Sequence, residues 1–236
     1  MNILIKFPTR NRPDKFIQLF LKYQHMLSSR YPAKFIVTMD LDDPTMNNTK
    51  IRNFLNKHTN VSYFYGESKS KIEAINANMD NIGNADIILL ASDDMIPIQV
   101  AYDDIIVTDM RKNFPDLDGV MHYNDGRQGE LLNTFCVMGR KYYDRFGYIY
   151  HPAYTSVYAD NEFTSVSRML GKAKYSPLTL FQHGWINFVG RDALVERNEH
   201  PDLYKKDKEI YEARLKIGFA NDKVVNTNTV GAQSGS

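Results

Sequence analysis

Cysteine is nearly absent from this chain: Cys136 is the only one in 236 residues. No disulfide can close within the chain, so nothing in it calls for an oxidising compartment. Cys136 lies in the apolar run Phe135-Cys136-Val137-Met138 and reads as a small buried hydrophobe rather than a nucleophile. Net charge is also scarce. Twenty-nine basic residues face 28 acidic ones, leaving +1, and no global basic field advertises nucleic acid. No apolar run approaches the length of a membrane span. The apolar start, Met1 to Phe7, is short and runs into Arg10, Arg12 and Lys15, unlike a secretory signal. The expectation is a soluble, cytoplasmic protein. With no internal repeat and no evident linker, one domain is expected over residues 1–220, followed by a polar tail, 221–236, expected to be disordered.

What the chain does have is concentrated in residues 86–94, Asp-Ile-Ile-Leu-Leu-Ala-Ser-Asp-Asp. An apolar run of this kind is a buried-strand signal. It ends in two adjacent carboxylates, Asp93 and Asp94. Two acids so close are costly unless a cation or a proton neutralises them. Carboxylate oxygens suit Mg²⁺ or Mn²⁺, and such ions commonly hold substrate phosphates. The alternative is a strand that ends in a solvated acidic turn.

The first half alternates strand and helix signals. Strands are expected at Ile3 to Phe7, Phe35 to Met39, Val61 to Tyr65 and Ile87 to Ala91. Between them, helical spacing appears from Pro13 onward, over 47–58, and from Ser68 or Ser70 to a stop at Gly83, on a face carrying Ile72, Ile75, Met79 and Ile82. This β-α-β-α-β-α-β order predicts an α/β domain with a mostly parallel central sheet flanked by helices. Ligands of such sheets bind beyond the carboxyl ends of the strands. There the sequence places Pro8-Thr9-Arg10, Asp40 to Asp43, Gly66 to Ser68 and Ser92 to Asp94, a rim rich in acids, hydroxyls and arginine. The second half is less regular. Helices are expected near Val100 to Met110, over Asp160 to Leu170 and over 201–217, with strands at Gly119 to His122, Thr134 to Met138 and Leu178 to His183.

Four motifs in order give the chain a resemblance to the GT-A (Rossmann-like) nucleotide-sugar glycosyltransferases, especially the inverting, family-2-like group. Strand one leads into Phe7-Pro8-Thr9-Arg10-Asn11-Arg12-Pro13, which is similar to that group's opening motif. A second strand ends in Asp40-x-Asp42-Asp43, and Ser92-Asp93-Asp94 resembles a metal-binding Asp-x-Asp motif with serine in first place. Asp160-Asn161-Glu162 stands where the group places its catalytic acid, and His183-Gly184-Trp185 is similar to a late metal-coordinating histidine. The match covers about residues 1–190.

The resemblance implies a role for each residue. Pro8, Thr9 and Arg10 would wrap the nucleoside, Asp40 would bond the base or a ribose hydroxyl, Arg10 and Arg12 would contact the diphosphate, and Lys71 would reach the base or a phosphate. Asp93 would take a ribose or supporting contact. Asp94 and His183 would hold Mn²⁺ or Mg²⁺, which would bridge the phosphates. Asp160 or Glu162 would be the general base. Tyr123, Asn124 and Trp185 would meet the sugar or the acceptor, although a hairpin turn at Asn124-Asp125-Gly126 accounts for that segment more simply and a half-buried anchor accounts equally for Trp185. The implied activity is metal-dependent, inverting transfer of a sugar from a nucleoside-diphosphate sugar, a UDP-sugar foremost, to a glycan, a protein or a modified DNA base. Rivals are a non-catalytic nucleotide- or glycan-binding protein on this scaffold and a sugar nucleotidyltransferase. The latter wants a Gly-rich first loop, and Pro8 to Arg12 contains no glycine.

Overall fold

The structure, a computed structural model, describes residues 1–184 and 200–219. Strands β1 (Ile3–Pro8), β2 (Ala33–Asp40), β3 (Val61–Gly66) and β4 (Ile87–Leu90) are all parallel to their neighbours. Helices α1 (Pro13–His25), α2 (Thr49–Leu55) and α3 (Lys71–Asn76) connect them. Beyond β4 come β5 (Met95–Pro97), α4 (Tyr102–Asn113), β6 (Val120–Tyr123), β7 (Val137–Gly139), α5 (Arg140–Phe146) and α6 (Ala159–Met169). The order closes with β8 (Ala173–Ser176), β9 (Phe181–His183) and a C-terminal helix, α7 (Pro201–Lys216). Seven strands form one sheet in the order β3-β2-β1-β4-β7-β6-β8, in which only β7 runs against its neighbours. The expected mostly parallel, helix-flanked α/β sheet is what the chain forms.

Side-chain alternation fills both faces of the sheet. Ile3, Ile5 and Phe7 of β1 pack with Phe16 and Phe20 of α1 and Ile106 of α4. The intervening Leu4 joins Ile72 and Ile75 of α3 and Tyr142 of α5 on the other face. Lys6 shares that second face and is wholly buried. Its ammonium nitrogen donates to Thr38 Oγ1 and, at 2.7 Å, to the Ala77 carbonyl. Burial lowers the Lys6 pKa from 10.5 to about 7.

Three departures from the sequence reading have local causes. The helix expected to run to Gly83 ends at Asn76, followed by a single 3₁₀ turn at Met79–Asn81. Asn76 turns its side chain onto the backbone of Ile149 and Tyr150, and Asn78 adopts the left-handed conformation (φ 61°). Asparagine competes with helix geometry in this way. The strand expected from Thr134 begins only at Val137. Thr134 Oγ1 bonds Asp125 and the Asn133 N–H bonds Thr164 Oγ1, which pulls that segment off the ladder. Finally, β5, β8 and α5, unexpected from the sequence, are only 3, 4 and 7 residues long, too short for periodicity to register. No described helix is long and apolar enough to cross a membrane.

Candidate functional site

The sheet order reverses between β1 and β4. Strands β2 and β3 lie to one side of β1, and β4 lies to the other. In open α/β sheets a crevice opens at such a switch point. Here it is a cleft of about 680 Å³.

At one end the chain leaving β1 faces the chain leaving β2. Arg10 donates from Nη1 to Asp40 at 2.6 Å and takes Asp42 in a two-pronged contact at 2.5 and 3.0 Å. Asp43 is structural: it accepts from the backbone of Asn11 at 2.7 Å and from the backbone of Thr45 at 3.0 Å. Three buried polar atoms at this end have no partner among the described residues: Thr9 Oγ1, Arg10 Nε and Asp40 Oδ1. Buried polar atoms are rarely left so. A ligand offering both donors and acceptors would satisfy them.

At the switch point itself Arg12 Nη1 donates to Asp93 Oδ1 at 2.6 Å, with both side chains under a tenth exposed. Arg12, expected at the diphosphate, is thus committed to a protein carboxylate. Asp93 pins the chain leaving β4 to the start of α1.

Asp94 lies beside this pair. Its Oδ1 accepts from the Ser92 hydroxyl, so the serine in first place of the acidic motif orients the carboxylate that follows. The chain then enters β5, which pairs antiparallel with β9 and sets His183 opposite Met95. The Gly184 N–H reaches the Asp94 carbonyl at 2.6 Å. A Cβ on Gly184 would meet that carbonyl at 3.2 Å and Ile96 at 3.0 Å, so the approach depends on glycine. An aromatic group beneath holds this small sheet. Tyr23 Oη donates to the Met95 carbonyl at 2.9 Å, and the Tyr23 ring stacks on Phe181 at 5.5 Å. Residues far apart in sequence thereby bring His183 to Asp94.

Lys71, the first residue of α3, and Asp160, in the first turn of α6, line the same cleft. Ser70 caps α3 through the Glu73 N–H at 3.1 Å, and Glu73 reaches back to the Lys69 N–H. The electrostatics separate the two acids. Burial pushes the Asp94 carboxyl up, but Lys71, His183, the Ser92 hydroxyl and Arg12 outweigh it and hold Asp94 below its ordinary value. At Asp160 burial wins over Lys71, the adjacent backbone N–H groups and His183, and the pKa rises. Two acids under the same cations, pushed in opposite directions, are suited to different tasks.

Several expected residues lie elsewhere. Glu162 is 4% exposed and does not line the cleft. Arg214 of α7 donates to both its oxygens, at 2.6 and 2.7 Å, and Tyr154 Oη donates at 2.7 Å. Two positions separate Asp160 from Glu162, so the two side chains leave α6 about 200° apart and of the two only Asp160 faces the cleft. Tyr123 is a core residue whose hydroxyl donates to Asp109 at 3.0 Å. Asn124 accepts from the Gly126 N–H in the turn after β6 and does not line the cleft. Trp185 and the tail 221–236 lie outside the described residues.

The sequence reading also missed contributors. Asp125 accepts from the N–H groups of Arg127 and Gln128 and from Thr134 Oγ1, and so folds the 125–134 loop into a wall that presents Gln128, Leu131 and Leu132 to the cleft. Helix α7, expected to be a solvated charged helix, buries Asp207 completely. That carboxylate accepts from the N–H groups of Thr155, Ser156 and Val157 at 2.7 to 3.2 Å.

As to a metal, the described residues contain no group of three or more His, Cys, Asp or Glu able to hold an ion. They offer a pair: Asp94, held ionised, and His183, whose buried Nδ1 has no partner among the described residues. A pair fits Mg²⁺ or Mn²⁺ bound largely through phosphate oxygens and water.

No protein-family model matches the chain, and no curated protein does. Solved structures do match in fold. A mannosyltransferase, PcManGT from Pyrobaculum calidifontis, in complex with GDP-Man and Mn²⁺, superposes with a TM-score of 0.61 at 14% identity, over 100% of this chain and 76% of its own. S. aureus TarS 1-349 in complex with UDP-GlcNAc gives 0.63 at 13% identity, over 87% of this chain and 64% of its own. The same fragment with UDP gives 0.58 at 14%, over 77% and 60%. The fold of this chain is therefore one that glycosyltransferases use. At these identities the likeness is one of fold, which does not by itself assign an activity.

Proposed function

We propose that this chain is a metal-dependent, inverting glycosyltransferase of GT-A type that takes its sugar from a nucleoside-diphosphate donor, a UDP-sugar foremost. The observation that carries the reading is the meeting of Asp94, His183, Lys71 and Asp160 in one cleft at the switch point of the sheet. The likeness of fold to structures holding GDP-Man and UDP-GlcNAc agrees with it.

Each residue then has a task. Thr9, Arg10 and Asp40 meet the nucleoside with the polar atoms they leave unpaired. Lys71 places a positive charge against the diphosphate. Asp94 and His183 would hold Mn²⁺ or Mg²⁺, which when bound neutralises the charge gathering on the departing diphosphate. Asp160 takes the proton of the acceptor hydroxyl. As that oxygen bonds the anomeric carbon, the carbon–oxygen bond to the diphosphate breaks and the electron pair leaves on the phosphate. One base suffices for such an inversion, and Glu162, engaged by Arg214, is not required. Pro8 contributes shape to the nucleoside end of the cleft, and Asp93 supports it through Arg12.

The test is release of nucleoside diphosphate from a panel of nucleotide sugars with Mn²⁺, with Mg²⁺ and with chelator. Metal-dependent release from one donor is expected. Metal-dependent binding with no release from any donor, with or without acceptors, would instead favour a binding protein on the same scaffold. Absence of nucleotide binding would end the assignment.

A further inference from the structure

Five charged residues of the cleft gather on one side of it, and two others, Lys71 and Asp160, stand in the first turns of α3 and α6. Arg10, Arg12, Asp40, Asp93 and Asp94 all follow β1, β2 or β4. The rest of the lining is built differently. One wall is the 125–134 loop, which contributes Gln128, Leu131, Leu132 and Thr134. The other is the 156–158 segment with Tyr204 of α7. None of these residues is charged.

Tyr158 and Tyr204 form a pair on that second wall. Their rings lie edge to face at 5.2 Å, and the Tyr158 hydroxyl donates to the Tyr204 hydroxyl at 2.9 Å. Tyr158 adopts a left-handed backbone (φ 63°) one residue before α6, a conformation that strains an aromatic residue. Asp207 holds the three preceding N–H groups and so overdetermines that turn. The product of the strain is a tyrosine ring two residues from Asp160, inside the cleft. In the same segment Ser156 Oγ is buried, lines the cleft and has no hydrogen-bond partner among the described residues. Tyr204 itself is 49% exposed, so one face of the pair is open to a ligand.

We infer that these uncharged walls of the cleft, next to Asp160, form the acceptor subsite, and that it takes a neutral carbohydrate whose ring lies against the Tyr158–Tyr204 pair. The inference rests on the glycosyltransferase reading above and narrows its acceptor. A sugar ring offers an apolar face of C–H bonds, which suits tyrosine and Leu131, and a rim of hydroxyls, which suits Ser156 and Gln128. A polyanionic acceptor would set its phosphates against these uncharged side chains and beside the Asp160 carboxylate, with Lys71 already taken by the donor diphosphate. Tyr204 is a specificity residue that touches the acceptor. Asp207 is a positioning residue that acts through the 155–158 turn.

The experiment uses the full chain, the donor identified by the release assay and its metal. Uncharged oligosaccharides of glucose, galactose and N-acetylglucosamine are offered as acceptors, beside a phosphate-bearing polyol and a single-stranded oligonucleotide. The wild type is compared with Tyr204→Ala, a surface substitution on α7. Transfer to uncharged oligosaccharides is expected. Tyr204→Ala is expected to raise the acceptor KM about tenfold, the scale of one lost aromatic contact, while donor KM and donor hydrolysis stay unchanged. An unchanged acceptor KM, or transfer to the phosphate-bearing acceptors alone, would overturn the inference and leave the transferase reading standing. Failure to bind or hydrolyse any donor would instead remove the transferase reading on which it stands.

Discussion

Arg12 donates to Asp93 at 2.6 Å across the crevice between the ends of β1 and β4, and both side chains are almost fully buried. The pair lines the cleft at the point where the strand order reverses. Removing one member of such a buried pair strands the other charge, at a cost of about 3–5 kcal/mol, whereas replacing both with apolar residues is often neutral. Arg12→Met should therefore lower stability by roughly that amount. Arg12→Met combined with Asp93→Leu should recover most of it. Chemical denaturation of the three proteins decides, and a double variant no more stable than the single would show that the pair acts through other contacts.

Asp160 and Glu162 make a second contrast. Asp160→Asn should reduce turnover by roughly 10²–10⁴-fold, the usual contribution of a general base, with donor affinity unchanged. Glu162→Gln breaks the contact with Arg214 and should lower the melting temperature, because α7 is then tied less firmly to α6. The molecules that survive folding should keep a near-normal kcat. Steady-state kinetics beside thermal denaturation separate the two residues, and equal losses of kcat would contradict the assignment.

Asp94→Ala and His183→Ala should each abolish the enhancement of nucleotide binding by Mn²⁺. Affinity measured in chelator should change little. Calorimetric titration of UDP and GDP, with the metal and without, checks this. Retention of the full metal effect in both variants would place the ion elsewhere.

Lys6 predicts a pH dependence of stability that does not involve the cleft. Its pKa falls from 10.5 in the unfolded chain to about 7 in the folded one. Between these values the unfolded chain binds a proton that the folded chain does not. Stability should therefore rise as the pH climbs from about 7 toward 10.5 and gain nothing more from this group above that range. Lys6→Met should flatten the rise. Denaturation midpoints across this range, for the wild type and the variant, provide the check, and parallel curves would refute the assignment to Lys6.

The parallel core was legible in the sequence because its signals are local. Ile3 to Phe7, Phe35 to Met39 and Ile87 to Ala91 are apolar runs broken only by Lys6 and Thr38, the pattern of a strand buried on both faces. Because parallel strands carry their ligands at their carboxyl ends, the same runs point to Thr9, Arg10, Asp40, Asp93 and Asp94 as rim residues. Helical spacing likewise placed Asp160 at the start of a helix. What residues alone left open was which of two acids on that helix faces the cleft.

That choice, and most of the far wall, belong to tertiary structure. Arg214 removes Glu162 from the cleft across a separation of 52 residues, and Asp207 shapes the Tyr158 turn from a helix that reads as solvated. His183 reaches Asp94 because β9 pairs with a strand of three residues, resting on Tyr23. None of these contacts leaves a periodic trace. The sequence by itself determined the parallel core of the sheet, its direction and the acids at its rim, since apolar burial acts through spacing along the chain. Only the folded chain decided how those acids are partnered, because hydrogen bonds and ion pairs depend on distances that are set once separate elements have packed together.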